Sequence, residues 1–384
     1  MNMALPRPLL AAAAALVLLF DGGSAHAQSA EKTISYTVRR GDTLISLATK
    51  YLLRKEDYLT VQKLNGIHDP YHVPTGSTLI VPESLLRIEP SFGEISSFRG
   101  DVAVDGSPAE QRMQIRQGMR IETSANAFVT VQFADGSAIS LPSQSRVRVD
   151  RLRRIPLTDS VDRVFRLQEG RARSTVTPIR NPASNFQVTT PLSVSAVRGT
   201  DFRVGFDPVA NRSLTEVVGG TVGVAPDEDK DAVAVPHGYG VVGTPDGIQP
   251  PTKLLPGPDL ASLARSDDDA VLVTAKPVEG AAKYRTQLAS DLRFRDIIAD
   301  MVTEKPEATF PGLGSVPFFV RLTAIADTGL EGLPATYAAG RRVDPPSSDS
   351  NAAPPRETAA EGSTATSGND QTRPGSSSSQ PPLR

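Results

Sequence analysis

Few side chains in this sequence combine a type and a spacing that could do chemistry. His68 and His72 stand four apart with Asp69 between them, the interval that sets two imidazoles on one helical face for a metal ion. Pro70 falls inside that interval and does not suit a helix interior, so both histidines read as solvated loop residues. Arg198-Gly199-Thr200-Asp201 groups a guanidinium, a hydroxyl and a carboxylate. A glycine between two strand-like runs makes a turn the better reading, with Thr200 and Asp201 satisfying backbone groups. The acidic run Asp227-Glu228-Asp229-Lys230-Asp231 lacks the D-x-D-x-D-G order of a calcium loop and reads as a surface loop. Arg146, Arg148, Arg151, Arg153 and Arg154 form a basic patch that could meet peptide carboxylates or an anionic glycan. The plainer reading, arginines on a solvated strand face, is favoured by Asp150, Asp159 and Asp162 close by.

The catalytic inventory beyond these is thin. There is no Cys, which excludes disulfides, thiolate metal sites and a Cys nucleophile together. Beyond the N-terminal leader the histidines are His68, His72 and His237, and neither a Ser-nucleophile motif nor H-E-x-x-H occurs. A carboxylate pair assembled in space stays open. The expectation is no enzyme, no cofactor and no metal. A formal net charge of -2 argues against nucleic acid, which calls for a concentrated basic field. Trp is absent and aromatics are scarce, which speaks against a deep cleft that stacks sugars.

The elements that must carry any site begin after a leader. Arg7, an apolar run over 9–20 and Ala25-His26-Ala27 have the order of a secretory signal peptide, residues 1–27. The run is well short of the roughly 20 residues that span a bilayer, so no transmembrane anchor is expected after cleavage. That places the chain in the periplasm or cell envelope. At the other end, 344–384 is rich in Pro, Ser, Thr and Gly without apolar periodicity and is expected to be disordered.

Ile34-Ser35-Tyr36-Thr37-Val38 alternates and predicts a strand, and Arg39-Arg40-Gly41-Asp42 turns the chain. Asp42 or Thr43 is placed to cap a helix whose apolar stripe is Leu44, Leu47, Ala48 and Tyr51. Tyr58, Val61 and Leu64 mark a second short helix, stopped at Asn65-Gly66. Thr78-Leu79-Ile80-Val81-Pro82 returns as a strand. With Gly41-Asp42-Thr43-Leu44, Leu64-Asn65-Gly66-Ile67 and the run from Pro74 to Pro82, this βααβ module, 33–83, resembles the LysM domain. The resemblance implies binding of N-acetylglucosamine-containing glycan, peptidoglycan in bacteria, in a shallow groove between two loops. Those loops map onto Gly41, Asp42, Thr43 and Leu44 and onto Asn65, Gly66 and Ile67. An N-acetyl group offers one donor, one acceptor and a methyl; backbone groups in the glycine loops suit the first two, Leu44 and Ile67 the third. For Asp42 a structural capping role is the better reading. The loop His68-Asp69-Pro70-Tyr71-His72-Val73 is longer than the shortest LysM pattern.

Over 91–245 helical periodicity nearly vanishes. Ala127, Val129, Val131 and Phe133 alternate, Asp135-Gly136 turns, and Ile139 and Leu141 alternate on the far side. Val147 and Val149 continue with Arg146, Arg148 and Asp150 facing out. Further strands are read at 164–167, 186–189, 192–197, 202–204 and 214–218. Gly118-Met119-Arg120-Ile121-Glu122-Thr123, Leu167-Gln168-Glu169-Gly170 and Val197-Arg198-Gly199-Thr200-Asp201-Phe202 resemble the FecR domain. That resemblance implies an all-β fold and, in its best-known members, signalling through a protein partner. The segment 252–343 resembles a fibronectin type III-like sandwich on Pro277-Val278-Glu279-Gly280-Ala281, Tyr284-Arg285 and Arg321-Leu322-Thr323-Ala324-Ile325, with Ala275 where that family has an early core Trp. The fold class expected is mainly β and multidomain. The function expected is a non-catalytic, exported peptidoglycan-binding envelope protein, its β domains a scaffold or partner-binding surface. A FecR-type periplasmic sensor and a wall hydrolase targeted by LysM are the alternatives.

Overall fold

Strand β1 (Thr33–Thr37) pairs antiparallel with β2 (Thr78–Pro82), Thr33 opposite Pro82 and Thr37 opposite Thr78. The structure is a computed structural model that describes residues 31–266, 269–313, 316–338 and 340–343. The expected leader, 1–27, and tail, 344–384, lie outside them. Between β1 and β2 run α1 (Leu44–Tyr51) and α2 (Tyr58–Leu64). Leu44, Leu47 and Ala48 of α1 and Val61 of α2 meet Tyr36, Leu79 and Val81 of the ribbon, as the stripe requires. Helices this short are marginal alone, so the shared core holds them. That core is not self-contained: Ile155 and Leu157, 4% exposed each, enter it from the next domain.

The next domain is all-β. Strands from Glu89–Pro90 to Thr252–Lys253 pair into a closed barrel. Phe128–Gln132 and Ala138–Leu141 form the hairpin expected around Asp135-Gly136, with Val131 opposite Ile139. Its centre is apolar: Phe165 lies 5.7 Å from Phe133 and 5.4 Å from Phe186, ring centre to ring centre, and Phe202 meets Phe186 edge-on. The longest hairpin joins Ser145–Ile155 to Ser160–Thr175. At Gly170 the second strand leaves its partner and pairs instead with Asp201–Asp207. Gly170 has a φ of +82° and a Cβ there would collide with the Gln144 carbonyl, so only glycine fits the corner.

The C-terminal region has a three-stranded sheet (Leu260–Arg265, Val271–Ala275, Glu307–Phe310) and a five-stranded sheet whose central strands are Ala281–Ala289 and Phe319–Ala326. Val271, Val273, Leu288, Val320, Leu322 and Tyr337 form one core between them. Ala275 is buried in that core, a small residue where the resemblance has a large one.

Charge joins this region to the barrel. Glu331, 2% exposed, lies 2.9 Å from Arg203 and 3.1 Å from both Arg171 and Arg285, and accepts from the Thr323 hydroxyl at 2.9 Å. Arg171 also pairs with fully buried Glu216 at 2.9 Å, and Arg285 with Asp300. Three guanidiniums, Arg171, Arg203 and Arg285, thus face three carboxylates, Glu216, Asp300 and Glu331. Burial works against ionising Glu331, but Arg203, then Arg285 and Arg171, outweigh it and hold the carboxyl well below its ordinary 4.5. Arg285 is likewise opposed by burial, yet Asp300 and Glu331 keep it charged. Leu214 and Val242 of the barrel pack on Leu254 and Leu330 beside the cluster.

Replacing Glu331 by Gln leaves three buried guanidiniums facing only Glu216 and Asp300, one positive charge uncompensated, and should lower unfolding free energy by about 3–5 kcal/mol, read from urea denaturation. The wild-type contribution is complete above pH 4.5 and is lost as pH falls towards the depressed folded value, so acid should erode wild-type stability more steeply than that of the variant. Parallel pH profiles for the two would contradict the assignment.

Candidate glycan-binding site

The turn before α1 is built by Asp42 and Thr43 in different roles. Thr43, not Asp42, is the N-cap: its Oγ1 accepts from the Ser46 amide at 3.0 Å, and the Ser46 hydroxyl accepts from the Thr43 amide at 2.9 Å. Asp42 instead braces the turn. Its Oδ2 accepts from the Tyr36 hydroxyl at 2.7 Å and from the Arg39 amide at 2.8 Å. Burial first, then this bond to a carboxylate, pushes the Tyr36 phenol up to about 12, so it stays a donor. Gly41 has a φ of +90° and opens onto space, with nothing within 4 Å of where a Cβ would stand.

Asn65 is equally structural. Its amide donates to the Ile80 and Val61 carbonyls, 2.8 Å each, and its Oδ1 accepts from the Ile80 amide at 2.7 Å. The side chain therefore stitches the end of α2 to β2, and Gly66, at φ +63°, makes the left-handed exit. The Ile67 amide donates to the Gln62 carbonyl, and Gln62 Nε2 donates back to the Ile67 carbonyl at 2.9 Å.

One backbone bond joins the first expected loop to the lengthened segment that follows the second: the Leu44 amide donates to the Pro70 carbonyl at 2.9 Å. Leu44's side chain is 2% exposed and faces the core, so it has no surface to offer a methyl. Ile67 is half-buried, while Gly41 and Gly66 are exposed. The residues left to meet a ligand are the glycine backbones, part of Ile67, and one side chain that sequence reading passed over. Tyr71 is 63% exposed in the lengthened loop. Asp69 holds that loop, accepting from the Tyr71 amide at 2.9 Å and contacting His72 Nδ1 at 2.6 Å, and the same amide, with His72, lowers its pKa. The available signal was Tyr71 itself, an aromatic beside a glycine loop in a chain poor in aromatics.

His68 does not join His72 and Asp69, and no cluster of three potential metal ligands occurs among the described residues. Every arginine of the patch has an acidic partner: Arg146 with Glu122, Arg148 with Asp150, Arg151 with Asp162 and Glu228, Arg153 with Asp162 and Glu83, Arg154 with Glu89 and Asp159. Glu228 of the acidic run is thereby used. Gly199 turns at φ +123° as expected, but Asp201 pairs with the Arg173 guanidinium at 2.6 Å rather than with backbone. Thr200 Oγ1 is buried and makes no hydrogen bond among the described residues, so its expected backbone role is not realised. Among the described residues no helix is long and apolar enough to cross a membrane.

The family model for the LysM domain matches residues 36–82, which contain both loops. The model described as FecR protein matches residues 119–223, inside the barrel. The chain carries a LysM domain and a FecR domain. No curated protein matches it. Among solved structures, two crystal structures of "a putative anti-sigma factor" from Parabacteroides distasonis, at 2.50 Å and 1.65 Å resolution, are similar at 20% identity and a TM-score of 0.28 each. Each similarity covers 35% of this chain and 59% of that one, so the chain spans less than two thirds of that protein's length.

Within the LysM domain, Asn65→Ala leaves the Ile80 amide and carbonyl without their partners and should cost about 1–3 kcal/mol. Thermal unfolding followed by the Tyr signals of the module checks this. An unchanged melting temperature would return Asn65 to the list of free, ligand-facing side chains.

Proposed function

We propose that this chain is an exported, non-catalytic envelope protein whose LysM domain holds N-acetylglucosamine-containing glycan of peptidoglycan. The observation that carries the reading is the LysM match over 36–82, with the first of its loops bonded through Leu44 to Pro70 in the segment after the second, beside exposed Tyr71. The Gly41 amide and the Gly41 and Gly66 carbonyls suit an N-acetyl group, the Gly66 amide donating instead to the Lys63 carbonyl at 3.3 Å, and the Tyr71 ring offers an apolar face to a sugar. The FecR domain and the C-terminal sheets, read as a fibronectin type III-like sandwich, serve as the scaffold that presents this groove. The separate, locally bonded placing of His72 and His237 supports a non-catalytic role. The leader read at 1–27 supplies export to the periplasm.

A second reading, sensing through a protein partner, is favoured by one feature of the FecR domain. An open cleft of about 540 Å³ is lined by Asp101, Glu122, Arg146 and Glu169, and no LysM residue reaches it.

Co-sedimentation with purified sacculi tests the first reading. Removing 33–83 would bare Ile155 and Leu157, so a point variant is the cleaner comparison. Wild type should pellet, and Tyr71→Ala should bind about three- to tenfold more weakly with unchanged melting, the worth of one aromatic contact. Wild-type protein left in the supernatant would overturn the reading, and clearing of the sacculi would replace it with the hydrolase.

A further inference from the structure

The sequence offers Arg146 to Arg154 as the carboxylate-binding patch, and the structure neutralises it residue by residue. Cations without acidic partners lie elsewhere. Where the LysM domain meets the tip of the long barrel hairpin there is a cleft of about 490 Å³. Arg39, Lys50 and Arg87 line it from the LysM side, and among the described residues none of the three has a carboxylate within 4.0 Å. Arg39 rests over the Tyr36 ring at 5.9 Å and Lys50 over the Tyr51 ring at 4.9 Å. Across the cleft, Glu89 and Asp159 are both held by Arg154, at 2.9 and 2.6 Å. The lining thus carries an excess of positive charge over a floor that includes Tyr51 and Pro156.

The walls are fixed in place before any ligand arrives. The Arg87 amide donates to the Tyr51 carbonyl at 2.7 Å, and its Nε to the Leu52 carbonyl at 2.6 Å, which binds the end of α1. Leu157 anchors the hairpin tip in the LysM core. A preformed cleft with unpaired cations and a partly apolar floor suits a short peptide carrying several carboxylates. Its position also matters. Arg39 stands two residues before Gly41, at the turn that supplies the first glycan loop, and Lys50 lies six residues along α1 from Leu44, about 9 Å at 1.5 Å per residue. An extended peptide of roughly four residues reaches about 13 Å.

We infer that this cleft binds the carboxylate-bearing peptide attached to the glycan strand, so that the LysM groove takes the sugar while the LysM–barrel junction takes its peptide. The inference rests on the glycan reading above and adds a second contact to it. Two contacts on one tethered ligand raise avidity without a stronger sugar site.

The test is calorimetric titration of the full chain with two soluble peptidoglycan oligomers, one bearing its peptides and one stripped of them by an amidase. Wild type should bind the peptide-bearing oligomer about fivefold more tightly at low salt, and the preference should shrink as salt is raised. Arg39→Gln/Lys50→Gln should lose the preference, keep the affinity for the stripped oligomer and keep the wild-type melting temperature. Equal wild-type affinity for both oligomers, or a preference that survives in the double variant, overturns the cleft and leaves the glycan groove standing. Failure of wild type to bind the stripped oligomer removes the glycan reading and the cleft with it.

Discussion

The hairpin of Ser145–Ile155 and Ser160–Thr175 touches every part of the described chain. Its second strand has sixteen residues, roughly 50 Å when extended. At the tip, Ile155 and Leu157 complete the LysM core, and Asn181 braces the turn by donating to the Thr158 and Asp159 carbonyls at 2.9 Å each. In the middle, Val147, Val149, Phe165 and Leu167 belong to the barrel core. At the base, past the corner at Gly170, Arg171 reaches Glu216 and Glu331. One continuous member therefore sets the LysM module, the barrel and the C-terminal sheets relative to one another.

Electrostatics along this member follows a single rule, that a charge is buried only with its counter-charge. Arg153 is held between Asp162 at 2.8 Å and Glu83 at 2.5 Å, and the latter contact ties the residue just after β2 to the barrel. Burial opposes its charge, and Asp162 followed by Glu83 more than restores it. Breaking such a pair is costly because the survivor stays buried, which is why these contacts hold domains together even where each adds little net attraction. The exposed cations of the LysM side follow no such rule. Arg39 and Lys50 rest on tyrosine rings, where they remain available to an incoming anion.

Much of this was legible in the sequence, and the reasons for the gaps are physical. The βααβ order of the LysM module follows from period-two and period-3.6 patterns that the structure reproduces at Thr33–Thr37, Leu44–Tyr51, Tyr58–Leu64 and Thr78–Pro82. The hairpin around Asp135-Gly136 was equally plain. Ile155 and Leu157 were not, because the arginines and aspartates around them give the segment the look of a solvated edge. The ion cluster is invisible to any local pattern, since Arg171 and Glu331 are 160 residues apart. Within the candidate site, residue type does not reveal side-chain direction: Leu44, read as an apolar contact for the N-acetyl methyl, is buried in the core, and the Asn65 side chain is bonded to Ile80.

Those two assignments change what the LysM surface can do. With the Asn65 and Leu44 side chains turned inward, the surface left for the proposed glycan is exposed glycine backbone, half of Ile67 and the Tyr71 ring, a small and shallow set of contacts. Such a surface gains little from further side chains and more from being held still. The Leu44–Pro70 bond fixes the first loop to the segment that carries Tyr71, and the Ile155–Leu157 anchor fixes the module to the barrel. Ordering that is complete before binding leaves more of a weak contact's free energy for the complex. A rigid mount is therefore what the β domains would contribute to the proposed glycan holding.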